Sequence, residues 1–276
     1  MTAGTQQAMR TPGPLQIVRI YGALLRAEVA AAAAYRGQLA LSVVGWVVPL
    51  AFLALWSGAA SAGPVQGITQ TQFATYFCFL LVTTSLQMIM PVTFGFGAVV
   101  HSGRLSAQLL RPYHPIHDLI ARPLARQAYR LPVLLVIVPI ALVLTGGKVQ
   151  ADAGGWLLAI GITLLGTVGT VYLAAMSGAL ALWMTKSEGF QGLLVGAEWI
   201  LGGIIAPVAL LPGILPLIVP HQPLWYADAA GPEILAGIGD HGPTLLVEAT
   251  AWIVVLHLVY RWFWRKALRR YEAVGT

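Results

Sequence analysis

The stretch "GGIIAPVALLPGILPLIVPHQPLWY", residues 202–226, is apolar enough for lipid, yet prolines interrupt it at 207, 212, 216, 220 and 223. Each proline removes a backbone N–H and clashes with the turn before it, so the stretch cannot form one straight spanning helix. It is also too apolar for a loop in water. Backbone that is not a full helix survives at membrane depth only where protein buries it or a cavity hydrates it. Both demands are met if residues 209–243 dip into one leaflet as short helical pieces and return, with Trp225 and Tyr226 at the headgroup level. Pro207, Pro212, Pro216, Pro220 and Pro223 then belong to a re-entrant gate that roofs a cavity.

The composition places this segment in an integral membrane protein. Of 276 residues, 58% are hydrophobic and only 9% charged, with mean hydropathy +0.76; soluble domains carry about 25% charged residues. A hydrocarbon core of roughly 30 Å takes about 20 helical residues to cross. Six apolar runs approach or meet that length: Leu39 to Ala60, Phe73 to Phe94, Leu131 to Thr145, Trp156 to Trp183, Phe190 to Val208 and Leu245 to Trp264. The third is the shortest and needs Tyr129 and Arg130 at its mouth, with the arginine snorkelling. The expected fold is therefore all-α, a single membrane domain over 1–276 with six transmembrane helices.

Charge placement sets the orientation. Net charge is +6, and with the N-terminus inside, fifteen of the sixteen Lys and Arg fall on cytoplasmic segments, leaving Lys148 outside. The positive-inside rule then puts both termini in the cytoplasm. Topology and anionic headgroups account for the basic balance, so no nucleic-acid partner is needed. Cys78, the only cysteine, lies within the second run, which excludes a disulfide framework. No apolar region follows a basic start, and none of the N-terminal segment reads as a cleaved leader.

Residues 14–36 read as an interfacial amphipathic helix, with Ile17, Ile20, Tyr21, Leu24 and Leu25 on one face and Arg19 and Arg26 opposite. Glu28 spoils that pattern, and either Arg36 or another chain is its expected partner. "YRG" at 35–37 gives a flexible corner into the first span. The inner loop 101–130 carries five arginines and three prolines, yet Leu105, Leu109 and Leu110 keep helical spacing, so a short helix held by a turn at Pro112–Pro115 is expected there; a solvated basic loop is the plainer alternative. Gly161, Gly166, Gly169 and Gly178, then Gly192 and Gly196, let membrane helices approach closely.

These features together resemble the ABC-2 type exporter permeases, in particular a bacterial, type V-like subgroup. "GRLSAQLLRPYHP" (103–115) is similar to its G-x-L-x-x-x-LLRP-x-x-P stretch. "GGIIAPVALLP" and "PLWYADAAGPEILAG" (223–237) are similar to its later proline motifs, with Gly202 in place of Ser and Leu224 in place of Phe. The resemblance implies a permease of the bacterial cytoplasmic membrane that dimerises with a second copy or a sister permease. It also implies that a separate nucleotide-binding subunit drives it, with ATP and Mg on that partner and no cofactor on this chain. Gly103, Leu105, Leu109, Leu110, Arg111 and Pro112 would form the coupling helix that docks on the ATPase.

The chain itself lacks a P-loop, since no Ser or Thr follows Lys148 in "TGGKV" (145–149). An intramembrane serine protease would draw on Ser177 and His257, but counting inward along the helices separates them by roughly 10 Å in depth. "HPIH" (114–117) beside Asp118 makes a poor cation site amid basic residues. Glu198, a carboxylate within the fifth run, faces a cavity or a partner by default. It either bonds His257 at similar depth, binds a cation in the translocation path, or snorkels to inner-leaflet water near Lys186 or Arg261. The expected cargo is hydrophobic or amphipathic: a drug-like compound, a lipid or a peptide. A stand-alone secondary transporter or channel is the alternative, for which more intramembrane charge or an inverted repeat is expected.

Overall fold

The computed structural model describes residues 13–34, 36–111 and 113–274. Pro112 and the Tyr35 corner lie outside the described residues, as do the side chains of Glu28, Arg36 and Tyr129 and hence the contacts expected of them. Helices form the described chain: α1 Pro14–Ala34, α2 Arg36–Ala59, α3 Gln70–Leu86, α4 Ile89–His101, α5 Leu105–Leu109, α6 Ile116–Thr145, α7 Ala153–Ala179, α8 Glu188–Leu201, α9 Leu215–Ile218, α10 Pro223–Asp228, α11 Ala230–Ala236 and α12 Thr244–Val274. Among the described residues no β-strand is present. Four helical segments are long and apolar enough to cross a membrane: Gly45–Ala62, Gln70–His101, Ala153–Leu182 and Thr244–Tyr271. A fifth is α6, if its two parts, bent by 43°, count as one.

Local chemistry explains where these helices begin and break. Thr69 and Gln72 form a capping box at the start of α3, and the Asp152 carboxylate caps α7 by accepting from the Gly155 N–H at 2.8 Å; each satisfies N–H groups that the first turn leaves unpaired. The second apolar run is helical but broken at Gln87, whose backbone is extended. The third is longer than expected. Helix α6 begins at Ile116 rather than near Leu131, carries Pro123, Pro132 and Pro139 inside it, and bends where Pro132 denies its fourth predecessor a hydrogen bond.

The fifth run is shorter than the sequence reading. Helix α8 has 14 residues, about 21 Å at 1.5 Å per residue. It stops at Leu201 because Gly203 adopts φ +82°, a left-handed conformation that other residues take only with strain. A Cβ there would also meet the Tyr76 hydroxyl at 2.7 Å, and that hydroxyl donates to the Gly203 carbonyl at 2.7 Å.

Helix α7 is the hub, packing against α4, α10, α11 and α12. The proline-rich chain after α8 folds as α9, α10 and α11 with short turns between, and α10–α11 run antiparallel along α7. The register is plain from close approaches: a Cβ on Gly169 would lie 3.3 Å from the Pro223 Cβ, one on Gly166 would meet the Ala227 N at 2.3 Å, and one on Gly231 would meet Thr163 Oγ1 at 2.6 Å. At the end of the run the Gln150 N–H donates to the Leu235 carbonyl at 2.9 Å. Pro223 therefore sits about 24 Å along α7 from Ala153.

Gly166 is what permits backbone-to-backbone contact, as small residues do between membrane helices. Trp225 and Tyr226 are consequently buried to 0% and 1% exposure, deep beside α7, which corrects their expected place at the headgroups. Gly178 admits α4 in the same way, against the Thr93 carbonyl, whereas Gly192 and Gly196 face open space.

Candidate functional site

A cavity of about 770 Å³ opens between α2, the α3–α4 break, the first half of α6 and α8. Its apolar wall comes from Trp46 and Pro49 of α2, Met90 and Phe94 of α4, and Trp199 of α8. Its polar wall is Arg122, Arg126, Gln127 and Arg130 of α6, with Gln87 and Glu198 at the far side. The sequence reading missed this wall, because it placed the three arginines in a loop. Their spacing of four residues was the available signal: on a helix such positions share one face.

Glu198 faces this cavity, is buried to 4% exposure, and has the fully buried Asp228 as its charged neighbour. Gly202 lies between them, for a Cβ on it would meet Asp228 Oδ2 at 2.7 Å. Asp228 Oδ1 accepts a 2.6 Å bond from Gln87 Nε2, while Oδ2 is buried without a hydrogen-bond partner among the described residues. His257 takes a different neighbour, the Tyr172 hydroxyl at 3.1 Å. The expected Glu198–His257 bond is thus absent among the described residues, and His257 is bound one and a half turns away from Ser177 on α7.

Along the five-proline segment, Pro207 and Pro223 are buried, Pro216 and Pro220 half-buried, and Pro212 exposed. Ends and tip therefore differ: Ile214, Leu217 and Ile218 at the tip present apolar surface, while the Val208 N–H is tied to the Glu233 carboxylate at 3.0 Å. Glu233 in turn meets His241 at 3.3 Å. The returning limb is fastened to α12, where Glu248 accepts from Tyr226 at 2.9 Å and pairs with His221 at 2.8 Å.

The 101–130 segment separates into inward and outward side chains. Gly103 turns with φ +70°, and Leu105 is fully buried against its own chain. Leu109 is half-buried, and Leu110 is 88% exposed. The five-residue α5 is held to α12 by a Ser106–Tyr271 contact. Arg111 pairs with Asp118, and Tyr113 donates to the same carboxylate at 2.9 Å. His114 packs at a tilt against Trp264 with ring centroids 4.7 Å apart and accepts from the Ile116 N–H. Burial first, and the neighbouring His117 second, lower its pKa to about 4. Burial also lowers that of His117, against the opposing effect of Asp118, and His117 bonds the Tyr21 hydroxyl of α1 at 3.0 Å.

No curated protein matches the chain. The family model described as "ABC-2 family transporter protein" matches residues 47–275, a range that takes in the cavity wall except for Gly45 and Trp46, the segment around α5 and the whole α8–α11 region. The chain is a multi-pass membrane protein, and it belongs to the ABC-2 transporter family as a permease subunit of an ABC transporter.

Proposed function

We propose that the chain is the membrane half of an ATP-driven exporter, moving an amphipathic or hydrophobic compound out of the cytoplasm or inner leaflet. The observation that carries this reading is the proline-rich segment folded back to the middle of α7 next to the cavity. Helices α9–α11 form the re-entrant gate. Helix α8 together with the irregular chain up to Val208 completes the fifth crossing, for six in all. Both termini lie in the bacterial cytoplasm, and α1 rests on the inner headgroups.

A separate nucleotide-binding subunit supplies ATP hydrolysis, and a second copy or a sister permease completes the pore. The docking surface for the ATPase is α5 and its flanks. The burial pattern divides the labour there: Leu105 anchors the segment to the permease, and Leu110 projects outward for the partner. Closure of two ATPase subunits would push on α5, narrow the cavity and part the re-entrant segments.

Co-expression with the ATPase subunit tests this. The two should co-purify, Leu110→Asp should reduce recovery of the ATPase at least tenfold, and Val149→Asp at the opposite end should leave it unchanged. A chain that purifies alone and still moves substrate on an ion gradient would establish the secondary-transporter alternative instead.

A further inference from the structure

Three arginines of α6 line the cavity: Arg122 and Arg126, about one turn apart on its first part, and Arg130 just beyond the bend. Positive-inside topology asks only that arginines lie near the inner face. It does not ask that three line an aromatic-walled cavity. Arg122 and Arg130 already hold contacts within the chain. Arg126 is exposed into the cavity, and among the described residues it has no ion-pair partner. Arg126 is therefore the cationic group that this wall offers to a ligand, with Arg122 and Arg130 on either side of it.

We propose that this cavity selects amphipaths with an anionic headgroup, a phosphate or carboxylate held by Arg126 on the arginine-lined wall, with the apolar tail along Trp46, Phe94 and Trp199. The inference rests on the permease reading and names its substrate class. Guanidinium groups match such oxyanions two N–H bonds at a time. A volume of about 770 Å³ lies within the range of roughly 300–1,000 Å³ for pockets that enclose small ligands. A cationic amphipath would be repelled by Arg126, and a neutral one would desolvate it without supplying an acceptor.

The test uses the full chain purified in dodecyl maltoside and reads binding by thermal stabilisation. The probes are dodecyl phosphate, dodecyl trimethylammonium and inorganic phosphate. Dodecyl phosphate should bind at least tenfold more tightly than either of the others. Arg126→Gln should abolish that preference, Arg126→Lys should restore most of it, and Arg265→Gln on α12 should not disturb it.

Equal binding of the cationic amphipath, or full binding by Arg126→Gln, would overturn the proposal. Tight binding of inorganic phosphate alone would show a free-anion site and overturn it as well. Dodecyl phosphate should also stimulate ATP hydrolysis by the assembled complex, and binding without stimulation would mark a structural lipid and sink the substrate assignment. If the complex assembles while the anion preference is missing, only the substrate class falls. If the preference holds while no ATPase co-purifies, it is the permease reading that fails.

Discussion

The side-chain amide of Gln87 donates a 2.6 Å hydrogen bond to the Asp228 carboxylate, joining the break in the second crossing to the end of α10, 141 residues away. Asp228, fully buried, needs a donor, and the extended backbone at Gln87 brings that side chain within reach of it. Gln87→Leu strands both carboxylate oxygens and should cost about 1–3 kcal/mol. Asp228→Asn keeps a carbonyl acceptor in the same place, so its cost should be smaller. Thermal unfolding of the purified variants ranks the two, and the reverse order would contradict this account of Asp228.

The contact of α10 with α7 depends on the absence of one methyl group. A Cβ on Gly166 would fall 2.3–2.7 Å from backbone atoms of Tyr226 and Ala227, and a backbone cannot swing aside as a side chain can. Gly166→Ala should destabilise by about 1–3 kcal/mol or more, as overpacking does. Gly192→Ala, on a helix face with open space, should be neutral or gain up to about 1 kcal/mol from helix propensity. The melting temperatures of the two variants decide the matter.

His114 makes the loop before α6 sensitive to acid. Its pKa falls from the ordinary value near 6.5 to about 4 because it is buried against Trp264 and Tyr260. The folded state therefore resists protonation that the unfolded loop accepts. The stabilisation is complete above pH 6.5 and is lost progressively as pH falls toward 4, amounting to about 2 kcal/mol by pH 5. His117 shifts in the same direction. Limited proteolysis within 101–116 should accelerate between pH 7 and pH 5, and His114→Asn, which keeps an acceptor for the Ile116 N–H, should flatten most of that dependence.

Arg111 illustrates why a docking test belongs on Leu110. The guanidinium is tied to Asp118, and its side chain is 48% exposed, so such a pair contributes little stability by itself. Arg111→Glu, however, would set two carboxylates against each other and loosen the loop whatever docks there. Leu110→Asp changes only an exposed side chain. Circular dichroism should find Leu110→Asp unchanged in helix content, while Arg111→Glu should raise loop proteolysis severalfold.

Much of this fold is legible in the sequence, because long apolar runs have few ways to satisfy their backbone in lipid. The first, fourth and sixth crossings fall close to the helices observed. The misreadings have local causes. Arg122, Arg126 and Arg130 look like a loop when charge is counted in bulk, and only their four-residue rhythm, with Leu119 and Ile120 before them and Leu124 among them, betrays a helix. The Gly202–Gly203 pair was a stop signal one to two turns before the chosen end at Val208.

Pairings were harder to foresee. Glu198 and His257 lie at similar depth, but depth does not specify which face of a helix a residue occupies, and the neighbours turn out to be Asp228 and Tyr172. Trp225 and Tyr226 carry the usual composition of a membrane boundary. Their burial follows from Gly166, 59 and 60 residues earlier, a long-range fit that no local pattern announces.

The most direct measurement for the fold-back of the proline-rich segment is a cysteine pair, Gly169→Cys with Pro223→Cys, in a chain whose native thiol is removed by Cys78→Ala. A Cβ at position 169 lies 3.3 Å from that of residue 223, close to the roughly 3.5–4.5 Å that a disulfide spans. Mild oxidation in native membranes should close this bond within minutes, seen as a joined product after proteolysis between the two positions. Free thiols at both positions, each reacting with a membrane-impermeant maleimide, would mean that residues 207–223 stand in water and that α10 does not run along α7.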